Sequence, residues 1–221
     1  MRKTLYLTTI FLITLISCSK KNETKPQSSQ VTINGQVYST VVIGNQTWTA
    51  VNYDGPGGIP VPNINENIYG KLYKWQEAQA LTLPAGWRIP TQTDFENLLE
   101  SQGNITVGYD GSASLETLGA RHLRSQINWT LSGDNASGFS GEPAGDYNYN
   151  LKIFENTYAY ATFWGSTFQI NGLDPETQIV LTLAGYYSSP GTGHIPQEGA
   201  ITNGFEAGGE ICYSLRFVRD N

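Results

Sequence analysis

A chain of 221 residues with only 14% charged side chains, where about a quarter is usual, is too poor in charge for a coiled coil, a polyampholyte tail or a basic nucleic-acid-binding domain. Its 5 Trp, 13 Tyr and 8 Phe exclude a chain too polar to build a core, since each buries roughly 150–250 Å² when packed. From Val31 onward 8 basic residues stand against 18 acidic ones, a balance that repels phosphate backbones and anionic headgroups and leaves no nucleic-acid partner for this region.

Met1-Arg2-Lys3 precedes an apolar run from Leu5 to Ile16, far short of the ~20 residues a membrane-spanning helix needs. Residues 1–17 therefore read as a signal peptide. Leu15-Ile16-Ser17-Cys18 resembles the bacterial lipobox, which makes Cys18 the expected lipidation site and the membrane a partner through that anchor. Residues 18–30, the lipidated Cys and a polar stretch without apolar periodicity, are expected to form a flexible tether. By the enterobacterial sorting scheme, the lack of Asp after Cys18 points to the outer membrane or surface of a bacterial envelope. Cys212 is then the single thiol of residues 31–221, so neither an intramolecular disulfide nor a multi-Cys metal site is available. Its apolar neighbours favour packing over reactivity.

Asn34-Gly35 predicts a two-residue hairpin turn between Val31-Thr32-Ile33 and Gln36-Val37-Tyr38, and Gly44-Asn45 a second one between Thr40–Ile43 and Gln46–Ala50. Tyr53 to Asn67, rich in Gly, Pro and Asn, reads as a surface loop. Trp75, Ala78 and Leu81 recur at helical spacing within a short helix. The clearest helix follows Pro90: Thr91 caps, Asp94 stands three residues on, Phe95, Leu98 and Leu99 form a stripe, and Gly103 stops it. Leu115–Leu123 reads as a third. Tyr149–Phe154, Tyr158–Phe168, Ile179–Tyr187 and Ile211–Val218 read as strands. Residues 31–221 are thus expected to form one α+β domain of short antiparallel strands, two or three short helices and long irregular loops.

Seven segments occur in an order that resembles the Fibrobacter succinogenes major paralogous (FISUMP) domain. They are Val42-Ile43-Gly44-Asn45-Gln46-Thr47-Trp48, Tyr69-Gly70-Lys71-Leu72-Tyr73-Lys74-Trp75, Gly86-Trp87-Arg88-Ile89-Pro90-Thr91, Leu123-Arg124-Ser125, Ser137-Gly138-Phe139-Ser140, Ala161-Thr162-Phe163-Trp164-Gly165-Ser166 and Tyr213 to Asp220. The resemblance covers nearly all of residues 31–221. It implies a distant relation to C-type-lectin-like folds and to the sulfatase-modifying, formylglycine-generating group. Members often carry Cys where this chain has Leu83 and Phe217; if those bridge in relatives, apolar packing replaces the bridge here. In the third segment Trp87 and Ile89 are expected to point inward and Arg88 to pair with a carboxylate on a neighbouring strand. Trp48, Trp75, Trp87 and Trp164 lie within these segments and are assigned to the scaffold.

The chemistry left open is narrow. A formylglycine-type oxidase needs a cysteine pair that the domain lacks. Calcium-dependent lectin ligation fails at Glu142-Pro143-Ala144, which lacks a third ligand; Asp134, Glu142 and Asp146 are the weak candidates for a hard cation, their spacing fits no EF-hand loop, and no cofactor is expected. His122 and His194 stand in no hydrolase motif. The expected role is a surface-anchored, non-catalytic binding or adhesion domain for a glycan or protein, with contacts at Tyr147, Asn148, Tyr149 and Tyr187, where rings and amides gather. Two alternatives remain: an envelope or polysaccharide-active enzyme using loop carboxylates such as Asp134 and Glu142, whose pairing would be spatial, and a structural part of an envelope assembly.

Overall fold

The computed structural model describes residues 29–62, 66–107, 113–115, 117–168, 178–185, 199–203 and 211–221. Cys18 with its signal segment, Tyr187 and His194 lie outside the described residues.

β1 (Gln30–Ile33), β2 (Gln36–Ile43) and β3 (Gln46–Thr49) form two successive hairpins, with Ile33 opposite Gln36 and Ile43 opposite Gln46. Asn34 and Gly35 both adopt left-handed φ, 49° and 83°, as a type I′ turn requires. The apolar stretches either side of Ser39 are one strand of 8 residues shared by both hairpins. The expected surface loop departs from that reading. It contains β4 (Ile59–Pro60), which pairs with β5 (Lys71–Leu72) beyond the short α1 (Glu66–Tyr69), and it buries Tyr53 and Val61. Its Gly- and Pro-rich chain is drawn inward because the Gly55 carbonyl accepts from Tyr73 Oη and Lys71 Nζ, both at 3.0 Å, while the Tyr53 ring packs against Tyr38, Tyr73 and Phe217.

α2 (Trp75–Gln79) and α3 (Gln92–Glu100) fall where the helical spacing places them. At α3 the Asp94 carboxylate accepts from the Thr91 N–H at 2.8 Å while Thr91 Oγ1 accepts from the Asp94 N–H, a reciprocal capping box. β6 (Ile105–Val107) and β7 (Ala113–Leu115) follow, so α4 (Thr117–Leu123) starts later than expected, its first predicted residue being strand. Of the predicted strand at Tyr149–Phe154 only Ile153 and Phe154 are strand, in the hairpin of β8 (Asp146–Asn148) and β9 (Ile153–Glu155); residues 149–152 are its tip, where Asn148 Oδ1 accepts from the N–H groups of Asn150 and Leu151 and folds the chain back. β10 (Tyr160–Phe168), β11 (Gln178–Ala184) and β12 (Gly199–Asn203) form an antiparallel meander. The expected C-terminal strand divides into β13 (Ile211–Cys212) and β14 (Val218–Asp220). Between them Leu215, Arg216 and Phe217 are all buried, with no alternation, because this run passes between sheets; Tyr53 N–H donates to Leu215 O and Thr49 N–H to Phe217 O.

The strands assemble as β1-β2-β3-β14, β10-β11-β12-β7-β6, β13-β8-β9 and β4-β5, giving an α+β architecture. The five-stranded sheet divides the interior. Ala161, Phe163, Ile179, Leu181, Leu183 and Ile201 point to a cluster with Trp48, α3, Leu123 and Phe139. Trp164 and Val180, on the opposite face, join a second with Tyr53, Tyr73, Trp75, Trp87 and Phe217, against which Leu83 packs. Both positions where relatives often carry Cys are therefore filled by apolar side chains of one cluster. A third, smaller cluster gathers Val61, Tyr69, Leu72, Ala144 and Cys212, with Tyr147 and Phe154 against it.

Candidate ligand-binding cleft

Beyond Trp164 and Val180 the same face of the large sheet turns polar. Thr162 lies opposite Thr182, their hydroxyls 3.4 Å apart, and Thr202 opposite Val180, so strand alternation brings Tyr160 and three threonine hydroxyls to one surface. That surface is the floor of an open cleft of about 350 Å³. One wall comes from the β8–β9 hairpin. Tyr147 and Phe154 of that hairpin and Cys212 of β13 pack into the third cluster, which by period-two alternation turns Asp146, Glu155 and Ile211 toward the cleft. Tyr213, its ring 4.7 Å from that of Trp164, closes the other side. Gly145 (φ 68°) lets β8 approach β9 this closely, since a Cβ there would strike the Glu155 carbonyl.

Asp146 and Glu155 are direct cross-strand partners. Burial raises the Asp146 pKa, the Asn156 amide opposes that shift, and the Glu155 charge adds to it. Asn156 Nδ2 donates to Asp146 Oδ1 at 2.7 Å, which orients the carboxylate.

The residues singled out from sequence are distributed as follows. Tyr147, Asn148 and Tyr149 share the wall hairpin but do not line the cleft. Tyr147 packs against Phe154 at 4.7 Å, Asn148 holds the turn, and Tyr149, 46% exposed, lies under Lys74 Nζ. Tyr187 is outside the described residues. Of the three cation candidates only Asp146 reaches the cleft. Asp134 faces His122 at 3.8 Å and accepts from the Ala136 N–H. Glu142 is buried, accepting from Ser125 Oγ at 2.9 Å and Ser140 Oγ at 3.2 Å; desolvation raises its pKa, against those hydroxyls and Arg216. These engagements keep the three acids apart, and among the described residues no three His, Cys, Asp or Glu side chains gather to hold a metal. Cys212 is fully buried and burial pushes its thiol up to about 12, which keeps it protonated.

Arg88 pairs with Asp94 at 2.6 Å and with Asp220 of the neighbouring β14 at 2.8 Å, as its motif predicts, and serves the scaffold. Tyr160, Thr162, Thr182, Thr202, Glu155 and Asn156 were not singled out from sequence. Thr162 and Thr182 carried a signal, a threonine within an apolar run of β10 and of β11, whereas Thr202, Glu155 and Asn156 carried none.

A family model described as the Fibrobacter succinogenes major domain matches residues 41–219. No curated protein and no solved structure matches the chain.

Proposed function

Because the chain belongs to the Fibrobacter succinogenes major domain family, we propose that it is an envelope-anchored binding module whose cleft takes a glycan. The observation that carries this is the composition of the cleft: Tyr160 and the hydroxyls of Thr162, Thr182 and Thr202 in its floor, Tyr213 at one side and an amide at Asn156. Hydroxyls both donate and accept, and rings stack on the apolar faces of pyranoses, so such a surface suits a polyhydroxylated ligand. Its volume lies in the range of small-ligand sites. The role is non-catalytic. Asp146 and Glu155 stand side by side on one wall, whereas glycoside cleavage needs carboxyls that flank the scissile bond. A lectin-like fold is part of the proposal, supported by the short strands, short helices and long irregular connections.

Lipidation at Cys18, with residues 19–28 as tether, would hold the domain at the outer membrane; the lipobox-like sequence and the polar stretch after it support this, and the expected tether ends earlier than residue 30 because Ser29 bonds Thr40 and Gln30 pairs in β1. Metabolic labelling with a clickable fatty acid should mark the chain and fail in Cys18→Ala; retained labelling would refute the anchor. For the cleft, the detergent-solubilised full chain should bind members of a glycan array and lose them in Thr202→Arg, which fills the floor. Binding unchanged in that variant would refute the site. Turnover of a polysaccharide panel that Asp146→Asn or Glu155→Gln abolishes would replace the binding role with an enzymatic one.

A further inference from the structure

We propose that the cleft selects a glycan bearing free primary amino groups, with a protonated amine seated between Asp146 and Glu155 and the sugar hydroxyls on Thr162, Thr182 and Thr202. This rests on the cleft being the ligand site. Among the described residues lining it, both charged side chains are carboxylates. Lys152, on the same hairpin, makes no ion pair with either acid, while Lys71 Nζ donates to the Gly55 and Gly57 carbonyls, Lys74 lies over the Tyr149 ring, and Arg216 is enclosed in the core. Among the described residues no ion pair therefore neutralises these two acids.

Like charges directly opposite on adjacent strands repel, so this pair weakens the hairpin that carries it. Burial of Asp146 adds a desolvation penalty, seen in the direction of its pKa. A ligand ammonium group would relieve both. The carboxylate is already aimed: Asn156 holds Oδ1, and no other hydrogen bond among the described residues reaches this side chain, which leaves Oδ2 for a ligand N–H. Uronate, sulfate or phosphate groups would set an anion against two carboxylates and are rejected. A neutral sugar meets the hydroxyl floor but leaves the acid pair uncompensated. An amino sugar satisfies both halves of the site.

The test is calorimetric titration of the full chain in detergent, at about pH 6 where a free amine is protonated, with three oligosaccharides of equal length: glucosamine, N-acetylglucosamine and glucose oligomers. The glucosamine oligomer should bind at least about tenfold more tightly than either neutral one, the worth of one charge-assisted hydrogen bond. Glu155→Gln, at an exposed position that does not endanger folding, and Asp146→Asn should each erase that preference, bringing the glucosamine oligomer to the affinity the same variant shows for the neutral ones. Equal affinity for all three, with Thr202→Arg abolishing it, would overturn the amine preference and keep the cleft. No binding of any oligomer, or binding indifferent to Thr202→Arg, would overturn both.

Discussion

Arg216 is wholly enclosed, yet every bond it makes is to an uncharged acceptor: Asn52 Oδ1 at 2.7 Å, the Thr49 and Phe139 carbonyls at 2.8 Å and the Ser140 carbonyl at 2.7 Å. Its planar fork ties β3, the 139–140 turn and the C-terminal run at one point, with the Phe139 ring 4.8 Å from the guanidinium carbon. Burial lowers its pKa and the nearby Glu142 charge opposes that. Arg216→Met should lower the unfolding free energy by about 3–5 kcal/mol in urea titrations, because three buried acceptors and the half-buried Ser140 carbonyl lose their donor, and Arg216→Lys should recover only part. Two acids, Asp94 and Glu142, respond to pH in opposite senses. Burial alone would raise the Asp94 pKa, but the Arg88 guanidinium and the Thr91 N–H and hydroxyl outweigh it, so the folded value lies below the ordinary 3.8; that stabilisation is present above 3.8 and lost as pH falls through the lowered value. Glu142 is raised above its ordinary 4.5, so its contribution is complete below 4.5 and is lost as pH rises through the raised value. In Glu142→Gln the fall of the urea midpoint on the alkaline side of 4.5 should shrink to the part set by the raised Asp146, while the acid-side fall to which Asp94 contributes stays.

At the scale of elements, the Thr91 cap is the sharpest local device: it opens α3, and its Asp94 partner also receives Arg88 and the Gln46 amide at 2.6 Å. Thr91→Ala should cost about 1 kcal/mol by thermal denaturation, since it removes the cap bond from the Asp94 N–H and the hydroxyl's bond to the Asp94 carboxylate and leaves the Arg88 pair in place. That helix was legible because its signal is local: a cap, an acid three residues on and an apolar stripe. The hairpins at Asn34-Gly35 and Gly44-Asn45 were legible for the same reason. β6, β7 and β12 were not, because segments of 3 to 5 residues carry too little alternation to separate from loop. Ile211–Val218 misled in the other direction. Ser214 and Arg216 alternate there with apolar residues as in a half-exposed strand, yet all are buried, because the chain crosses between sheets and every side of the backbone is covered. The cleft was half legible: Asp146 and the hairpin around Tyr147 were marked, but the floor arises from the pairing of β10, β11 and β12, and pairing is not written in any one segment.

For the molecule as a whole, the decisive feature is that β10 and β11 serve two apolar clusters, one on each face. Neither cluster can open without exposing the back of the other, so unfolding should be one cooperative step. Trp48 reports on the first cluster, and Trp75, Trp87 and Trp164 on the second. Single-tryptophan fluorescence and far-ultraviolet circular dichroism should therefore give coincident urea transitions. A separate early transition at Trp75 or Trp87 would show that the second cluster is an independent unit. The run from Ile211 to Asp220 takes part in this closure through backbone bonds to Tyr73, Thr162, Tyr53, Thr49 and Arg88, and through the pairing of Val218 with Trp48.

That run follows every other described element in chain order, so a ribosome delivers it after all of its partners. Until it emerges, β3 lacks its neighbour β14 and the second cluster lacks Leu215 and Phe217. Translation at about 5–20 residues per second leaves the preceding polypeptide open for seconds. For the exported precursor proposed above, the order of synthesis alone would present a secretion channel with a slack, threadable chain, and the fold would close only on the far side of the membrane.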